Sequence, residues 1–158
     1  MEYTANNIAD FFISQVNIDS GDTISHLKLQ KLVYYAQAWH YTLFGQPLFN
    51  ERVEAWMHGP VIRSIYDRFK GSNVYTPLDI ESIELNVPTF PKNTLNILSD
   101  VNAIYGEHSG GYLEYLTHNE SPWVDARGGI PDYEKCDNEI TLEAMKNYYS
   151  KMNEQEQE

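Results

Sequence analysis

The side chains with the most versatile chemistry in this sequence are its histidines and its single cysteine: His26, His40, His58, His108, His118 and Cys136. No two histidines have the HxH or HxxxH spacing of a metal site, and the neighbouring carboxylates complete no ligand set. Cys136 stands in a polar Lys-Cys-Asp stretch with no histidine near it in sequence, and a lone cysteine forms no intramolecular disulfide. The pattern therefore predicts neither a metal site nor a cofactor.

Sequence motifs for nucleophilic catalysis and for nucleotide binding are also missing. The chain has no G-x-S-x-G elbow, no G-x-x-x-x-G-K-[ST] loop and no G-x-G-x-x-G fingerprint. We therefore expect no catalytic residue and a protein that is not an enzyme. An enzyme whose site assembles only in space is the alternative, and it would need a cleft with convergent polar groups.

A compact strip of basic and aromatic residues is the first candidate binding site. Lys28 and Lys31 are three positions apart on a predicted helix, and Tyr34 and Tyr35 follow one turn later. Tyrosine is favoured where one end of a side chain is packed and the other is wet, as at protein interfaces. The strip is therefore predicted to bind a partner or an anion. The alternative is a solvated helix face on which lysine stems pack against tyrosines.

Acidic charge is concentrated in the second half of the chain. The formal net charge of the whole chain is −12. Residues 1–78 hold 6 basic and 7 acidic side chains, whereas residues 79–158 hold 5 basic and 16 acidic ones. Such a charge repels phosphate backbones, so direct nucleic-acid binding is disfavoured and a basic protein partner is favoured. The alternative is a solvated acidic face that only keeps the protein soluble.

The length of 158 residues predicts one domain, over residues 1–152, followed by a polar, frayed tail at 153–158. The sequence contains no run of 18 apolar residues, so no membrane span is predicted. The N-terminus has no secretory signal pattern. A single cysteine fits a reducing compartment, so we expect a cytoplasmic protein.

Hydrophobic periodicity and capping residues predict a mainly α domain of six to seven helices with a small β element near residues 48–58. Strand-like alternation covers Arg52–His58, and Leu48-Phe49 is its predicted partner strand. Gly59-Pro60 is predicted to open the third helix. The helices are expected from Thr4 to Val16, Ser25 to Phe44, Gly59 to Gly71 and Asn93 to Tyr105, with short helices from Ser109 and Ser121 and a last one from Thr141.

The order and spacing of several segments resemble the SocA-like Panacea domain, which occurs in bacterial antitoxins and phage-associated proteins. The segments are Leu27 to Trp39 (LKLQKLVYYAQAW), Pro47-Leu-Phe49, Glu54-Ala-Trp56, His58-Gly-Pro-Val61, Ile65-Tyr66, Leu116 to Trp123 (LTHNESPW) and Ala126-Arg127. The resemblance implies a mostly helical single domain that binds protein and carries a polar motif cluster. In this sequence that cluster is Gln30, His58, His118 and Arg127, and its role in the fold could be purely structural.

The resemblance also implies a function. An antitoxin-type module would neutralise a cognate toxin by direct complex formation, in a toxin–antitoxin system of a bacterium, a phage or a mobile element. The alternative within the family is an adaptor that delivers a partner protein to a bacterial AAA+ protease. A homodimer is compatible with either function.

Overall fold

The computed structural model describes residues 3–157 of the chain. Met1, Glu2 and Glu158 lie outside the described residues, and so do the outer ends of the predicted ranges 1–152 and 153–158. The described part is mainly α, as predicted, with a small three-stranded sheet. Its α-helices are α1 (Ala5–Ser14), α2 (His26–Phe44), α3 (Arg63–Phe69), α4 (Lys92–Tyr105), α5 (Gly110–His118), α6 (Ser121–Arg127) and α7 (Leu142–Gln157).

Helix α2 begins and ends where its capping residues predict. The Ser25 side chain accepts a hydrogen bond from Lys28 N at 3.1 Å, and Gly45 ends the helix in the left-handed conformation with φ of 70°. Thr4 caps α1 in the same way, in a reciprocal pair with Asn7. These ends are local, so the sequence is sufficient to place them.

Helix α2 is also the centre of the fold. Helices α1, α4, α5 and α7 all pack against it. The β-hairpin formed by residues 53–61, called the hairpin below, lies beside its first half. Leu29, Leu32, Val33 and Ala36 are buried in the resulting core. Because α2 is surrounded, side chains on nearly every face of it are inside the protein.

The sheet consists of β1 (Val53–Trp56), β2 (Gly59–Val61) and β3 (Glu139–Ile140), in the order β2-β1-β3 and antiparallel throughout. The prediction that Gly59-Pro60 opens the third helix was wrong. Pro60 pairs with Ala55 in β2 instead of opening a helix, and α3 begins only at Arg63. Proline is tolerated at this place because β2 is an edge strand, where a missing N–H breaks no ladder.

Leu48-Phe49 is the second wrong prediction, because these residues are buried but do not form a strand. Gln37 on α2 takes the place of a partner strand. Its side-chain oxygen accepts from Leu48 N at 2.7 Å, and its side-chain nitrogen donates to Phe49 O at 2.8 Å. Two backbone polar groups of this segment are thereby satisfied without a partner strand.

The last helices differ from the prediction only at their ends. Ser121 is the first residue of α6, and Glu120 is the N-cap residue, without a side-chain cap bond. Thr141 caps α7 by accepting from Ala144 N at 3.1 Å, as expected. Helix α7 extends to Gln157 and so includes most of the predicted tail, whose fraying in solution stays a prediction. None of the helices within residues 3–157 has the length and apolar character needed to cross a membrane.

Candidate functional site

Gln30 on α2 hydrogen-bonds the backbone of Ile62, the residue that directly follows the hairpin. Its side-chain oxygen accepts from Ile62 N at 3.0 Å, and its side-chain nitrogen donates to Ile62 O at 3.3 Å and to His26 Nε2 at 3.1 Å. The backbone N–H of Ile62 can only donate, so this contact fixes the orientation of the Gln30 amide. Burial and, to a smaller extent, the charge of Lys31 together lower the pKa of His26 to about 4.

Lys31 lies beneath the hairpin and is fully buried. Its Nζ donates to Pro60 O at 3.1 Å. Burial lowers the pKa of Lys31 to about 7, although nearby Glu114 opposes part of the change. Gly59 has a φ of +105°, and a Cβ at this position would lie 2.6 Å from Lys31 Cε and 2.9 Å from Thr117 Oγ1. A glycine is therefore needed where the hairpin crosses the lysine.

His58 and His118 are both close enough to Glu114 to interact with its charge. His58 Nδ1 is 3.2 Å from Glu114 Oε1 and 3.3 Å from the Tyr75 hydroxyl, and its side chain is half exposed. His118 stacks on Trp123 with ring centroids 3.9 Å apart. Burial lowers the pKa of His118, so its neutral form is favoured. The structure thus places Gln30, His58 and His118 around the lysine.

Arg127 is buried and has a structural role. Its guanidinium donates to the carbonyl oxygens of Ala55, Pro131 and Glu134, and it lies over the Trp123 ring at 4.9 Å. One side chain therefore joins β1 to the loop that follows α6.

The predicted strip of Lys28, Lys31, Tyr34 and Tyr35 is not an exposed surface. Lys31, Tyr34 and Tyr35 are at most 1 % exposed, and half-buried Lys28 donates through Nζ to Gly106 O. The strip is buried because neighbouring elements cover nearly every face of α2. Contact of these residues with a partner stays a prediction.

Tyr34 and Tyr35 belong instead to a buried tyrosine–carboxylate network. The hydroxyls of Tyr35 and Tyr149 both donate to Glu120 Oε1 at 2.8 Å, and the Tyr34 hydroxyl lies 3.1 Å from that of Tyr149. Tyr35 also stacks on Tyr105 with centroids 3.9 Å apart. Burial raises the pKa of Glu120 to about 7, although the two hydroxyl donors oppose it.

A cavity of about 720 Å³ opens beside the polar cluster, between α2 and the hairpin. We name it the hairpin pocket. Its wall includes His26, Gln30, Lys31, Trp56, His58 and Tyr66. Among residues 3–157, no group of three or more His, Cys, Asp or Glu side chains is placed to hold a metal ion. The pocket wall is instead rich in hydrogen-bond donors.

A second surface feature lies on α5 and the turn before it. Tyr112 and Tyr115 are 44 % and 64 % exposed, and the His108, Tyr112 and Tyr115 rings form a continuous row, with centroids 4.5 and 6.2 Å apart. The side chain of Glu107 beside them is 69 % exposed. We name His108, Tyr112, Tyr115 and Glu107 the α5 face. It combines aromatic area with acidic charge.

The family model described as antitoxin SocA-like, Panacea domain, matches residues 29–124. The chain belongs to this family. The matched range of the Panacea domain runs from the first turn of α2 through the hairpin, α3, α4 and α5 to the start of α6, so it includes the polar cluster except Arg127. Comparison with curated proteins gave no match, and comparison with solved structures gave none either.

Sequence reasoning missed three functional or structural groups of this Panacea domain. Glu120 lies within the LTHNESPW segment, but nothing in its spacing indicates burial beside tyrosines. His26 lacks a motif of its own. Glu54 is 4 % exposed and pairs with Arg52 and Arg63. The contacts that bury Glu120 and His26 come from segments far apart in sequence.

Proposed function

We propose that this Panacea-domain protein neutralises a cognate toxin by forming a direct complex with it, and that this role is not catalytic. The observation that carries the proposal is the match to the antitoxin family over residues 29–124. The family supports an antitoxin-type role in general. The toxin partner itself, and the surface that holds it, are our proposals.

The surface that best suits a toxin partner is the α5 face. Exposed tyrosines provide large contact area at a low cost in conformational entropy, and they are common among the residues that dominate binding energy. The net charge of −11 in residues 79–158 adds a long-range attraction for a basic partner. We therefore propose a basic toxin surface seated on the α5 face, in place of the buried α2 strip.

The α5 face is tested by the double change Tyr112→Ala with Tyr115→Ala. We expect at least a tenfold loss of affinity for the toxin, about 1.4 kcal/mol or more, because truncation of interface anchors typically costs this much. The measurement is a binding titration with the purified neighbouring toxin, together with growth rescue in cells. The matched control is Tyr133→Ala, which removes a tyrosine that is 78 % exposed outside the α5 face.

The charge argument has its own test. Affinity should fall as salt rises from low to physiological ionic strength, mainly through a slower association rate. An affinity independent of salt would remove the basic-partner proposal but leave neutralisation intact. Equal affinities for the double variant and for wild type would move the contact away from the α5 face.

A further inference from the structure

The hairpin pocket holds a buried donor without an acceptor. The Gln30 side-chain nitrogen is a donor, so the His26 Nε2 that it contacts must accept. In the neutral ring the proton then resides on His26 Nδ1. This atom is buried and has no hydrogen-bond partner among the described residues. A buried N–H without an acceptor costs free energy, which a ligand in the pocket could recover.

Lys31 adds a charged donor to the same wall. Its ammonium has three N–H groups, and within residues 3–157 its one hydrogen bond goes to Pro60 O. The charge of Glu114 offsets part of this cost, and a buried cation with so few acceptors is stabilised further when a second anion approaches it. Retention of this lysine in the wall of a cavity is therefore better suited to ligand binding than to stability.

The rest of the pocket has a mixed character that suits an aromatic anion. Trp56 and Tyr66 lie next to each other in the wall, with ring centroids 4.9 Å apart, and Val61 and Val74 add aliphatic surface. The lining also includes the cations Arg63 and Lys135 and one acid, Asp137. In a chain with a net charge of −12, this is an unusual concentration of cations beside an apolar wall.

We propose that the hairpin pocket binds a small molecule with a planar apolar body and one anionic group, either a carboxylate or a phosphate. Because Lys31 and His26 are at most 2 % exposed, the pocket wall would have to open slightly for the anion to accept from Lys31 Nζ and His26 Nδ1. The planar body would pack against Trp56 and Tyr66. The volume of about 720 Å³ lies within the range of ordinary small-molecule sites. This site does not depend on the proposed antitoxin role.

The test compares an aromatic anion with its neutral counterpart at about pH 6, where Lys31 is largely protonated. The fluorescent probes are 8-anilinonaphthalene-1-sulfonate, which is anionic, and N-phenyl-1-naphthylamine, which is neutral. We expect Lys31→Met to weaken binding of the anionic probe about tenfold, the loss expected for one charge-assisted hydrogen bond, and to leave the neutral probe within about twofold. Lys28→Met is the matched control, because Lys28 is on the same helix but outside the pocket.

Displacement of the anionic probe identifies the chemical class. Adenosine 5′-monophosphate represents phosphates and indole-3-acetate represents carboxylates, and adenosine and indole are their neutral controls. The proposal predicts that at least one anion displaces the probe at a concentration at least tenfold lower than its neutral control does. Equal displacement by anions and neutral controls would overturn it.

A second variant tests the proposal even if Lys31→Met does not fold. Val74→Trp adds bulk to a half-buried pocket residue without removing a polar partner. It should abolish binding of both probes while the circular dichroism spectrum stays that of wild type. Unchanged binding of the anionic probe in this variant, or in a folded Lys31→Met protein, would contradict the proposal.

Discussion

Glu120 should make the stability of this protein fall as pH rises, and Glu120→Gln should remove that dependence. Burial raises the pKa of Glu120 from 4.5 to about 7 in the folded state. Between these values the folded protein binds more protons than the unfolded chain, so the free energy of unfolding decreases with increasing pH. One pKa unit corresponds to about 1.36 kcal/mol, so this carboxyl alone should cost about 3 kcal/mol by about pH 8.

Glutamine is a suitable replacement because of the geometry of the network. Tyr35 and Tyr149 both donate to the same oxygen, Glu120 Oε1, and a glutamine carbonyl oxygen can accept both hydrogen bonds. The variant therefore keeps the two contacts and loses only the ionisation. The difference in the free energy of unfolding, variant minus wild type, should therefore rise by about 3 kcal/mol between about pH 4 and about pH 8.

The assay is urea unfolding of both proteins at several pH values between about 4 and 8, with the result expressed as variant minus wild type. Taking this difference matters because burial lowers the pKa of His26 to about 4, which makes stability rise with pH over part of the same range. Glu143→Gln is the control, at an exposed carboxylate that accepts from the Tyr41 hydroxyl. A variant-minus-wild-type difference that stays constant within about 0.5 kcal/mol would refute the burial of an ionisable Glu120.

Other substitutions test the hairpin and its supports. Gly59→Ala should destabilise the protein by about 2–4 kcal/mol, because strain at positive φ adds to the clash with Lys31, whereas Gly45→Ala, with positive φ in open space, should cost about 1 kcal/mol in the same thermal unfolding assay. Arg127→Met should cost about 2–4 kcal/mol in chemical denaturation, because three carbonyl oxygens lose a charged donor; a loss below 0.5 kcal/mol would mean that water replaces the guanidinium.

The features that sequence predicts correctly here are those governed by neighbouring residues. Thr4 and Ser25 cap helices through backbone groups three positions away, and Gly45 ends α2 because glycine adopts a left-handed conformation freely. Such signals do not depend on the rest of the fold. Together with the hydrophobic periodicity they were enough to predict a mainly α domain.

The features that sequence does not predict depend on distant partners. Gln30 and Gln37 are seven residues apart on α2, and each uses both its amide oxygen and its amide nitrogen to bond a backbone segment. The bonds of Gln37 replace the sheet contact expected for Leu48-Phe49. Tyr34 and Tyr35 are internal because α5 and α7 cover α2 on sides that helical periodicity alone leaves open. Side-chain amides and hydroxyls that satisfy distant groups leave no periodic pattern.

The central claim is that this Panacea-domain protein neutralises a toxin by direct contact. Its most direct test is co-expression of the protein encoded by the adjacent gene, with and without this chain, measuring growth and co-purification. We predict growth arrest by the neighbour alone, rescue by this chain, and a stable complex in which the amount of the neighbour is unchanged. Rescue accompanied by loss of the neighbour's protein would contradict neutralisation and favour delivery to a protease. Absence of both toxicity and complex would contradict the antitoxin role for this pair.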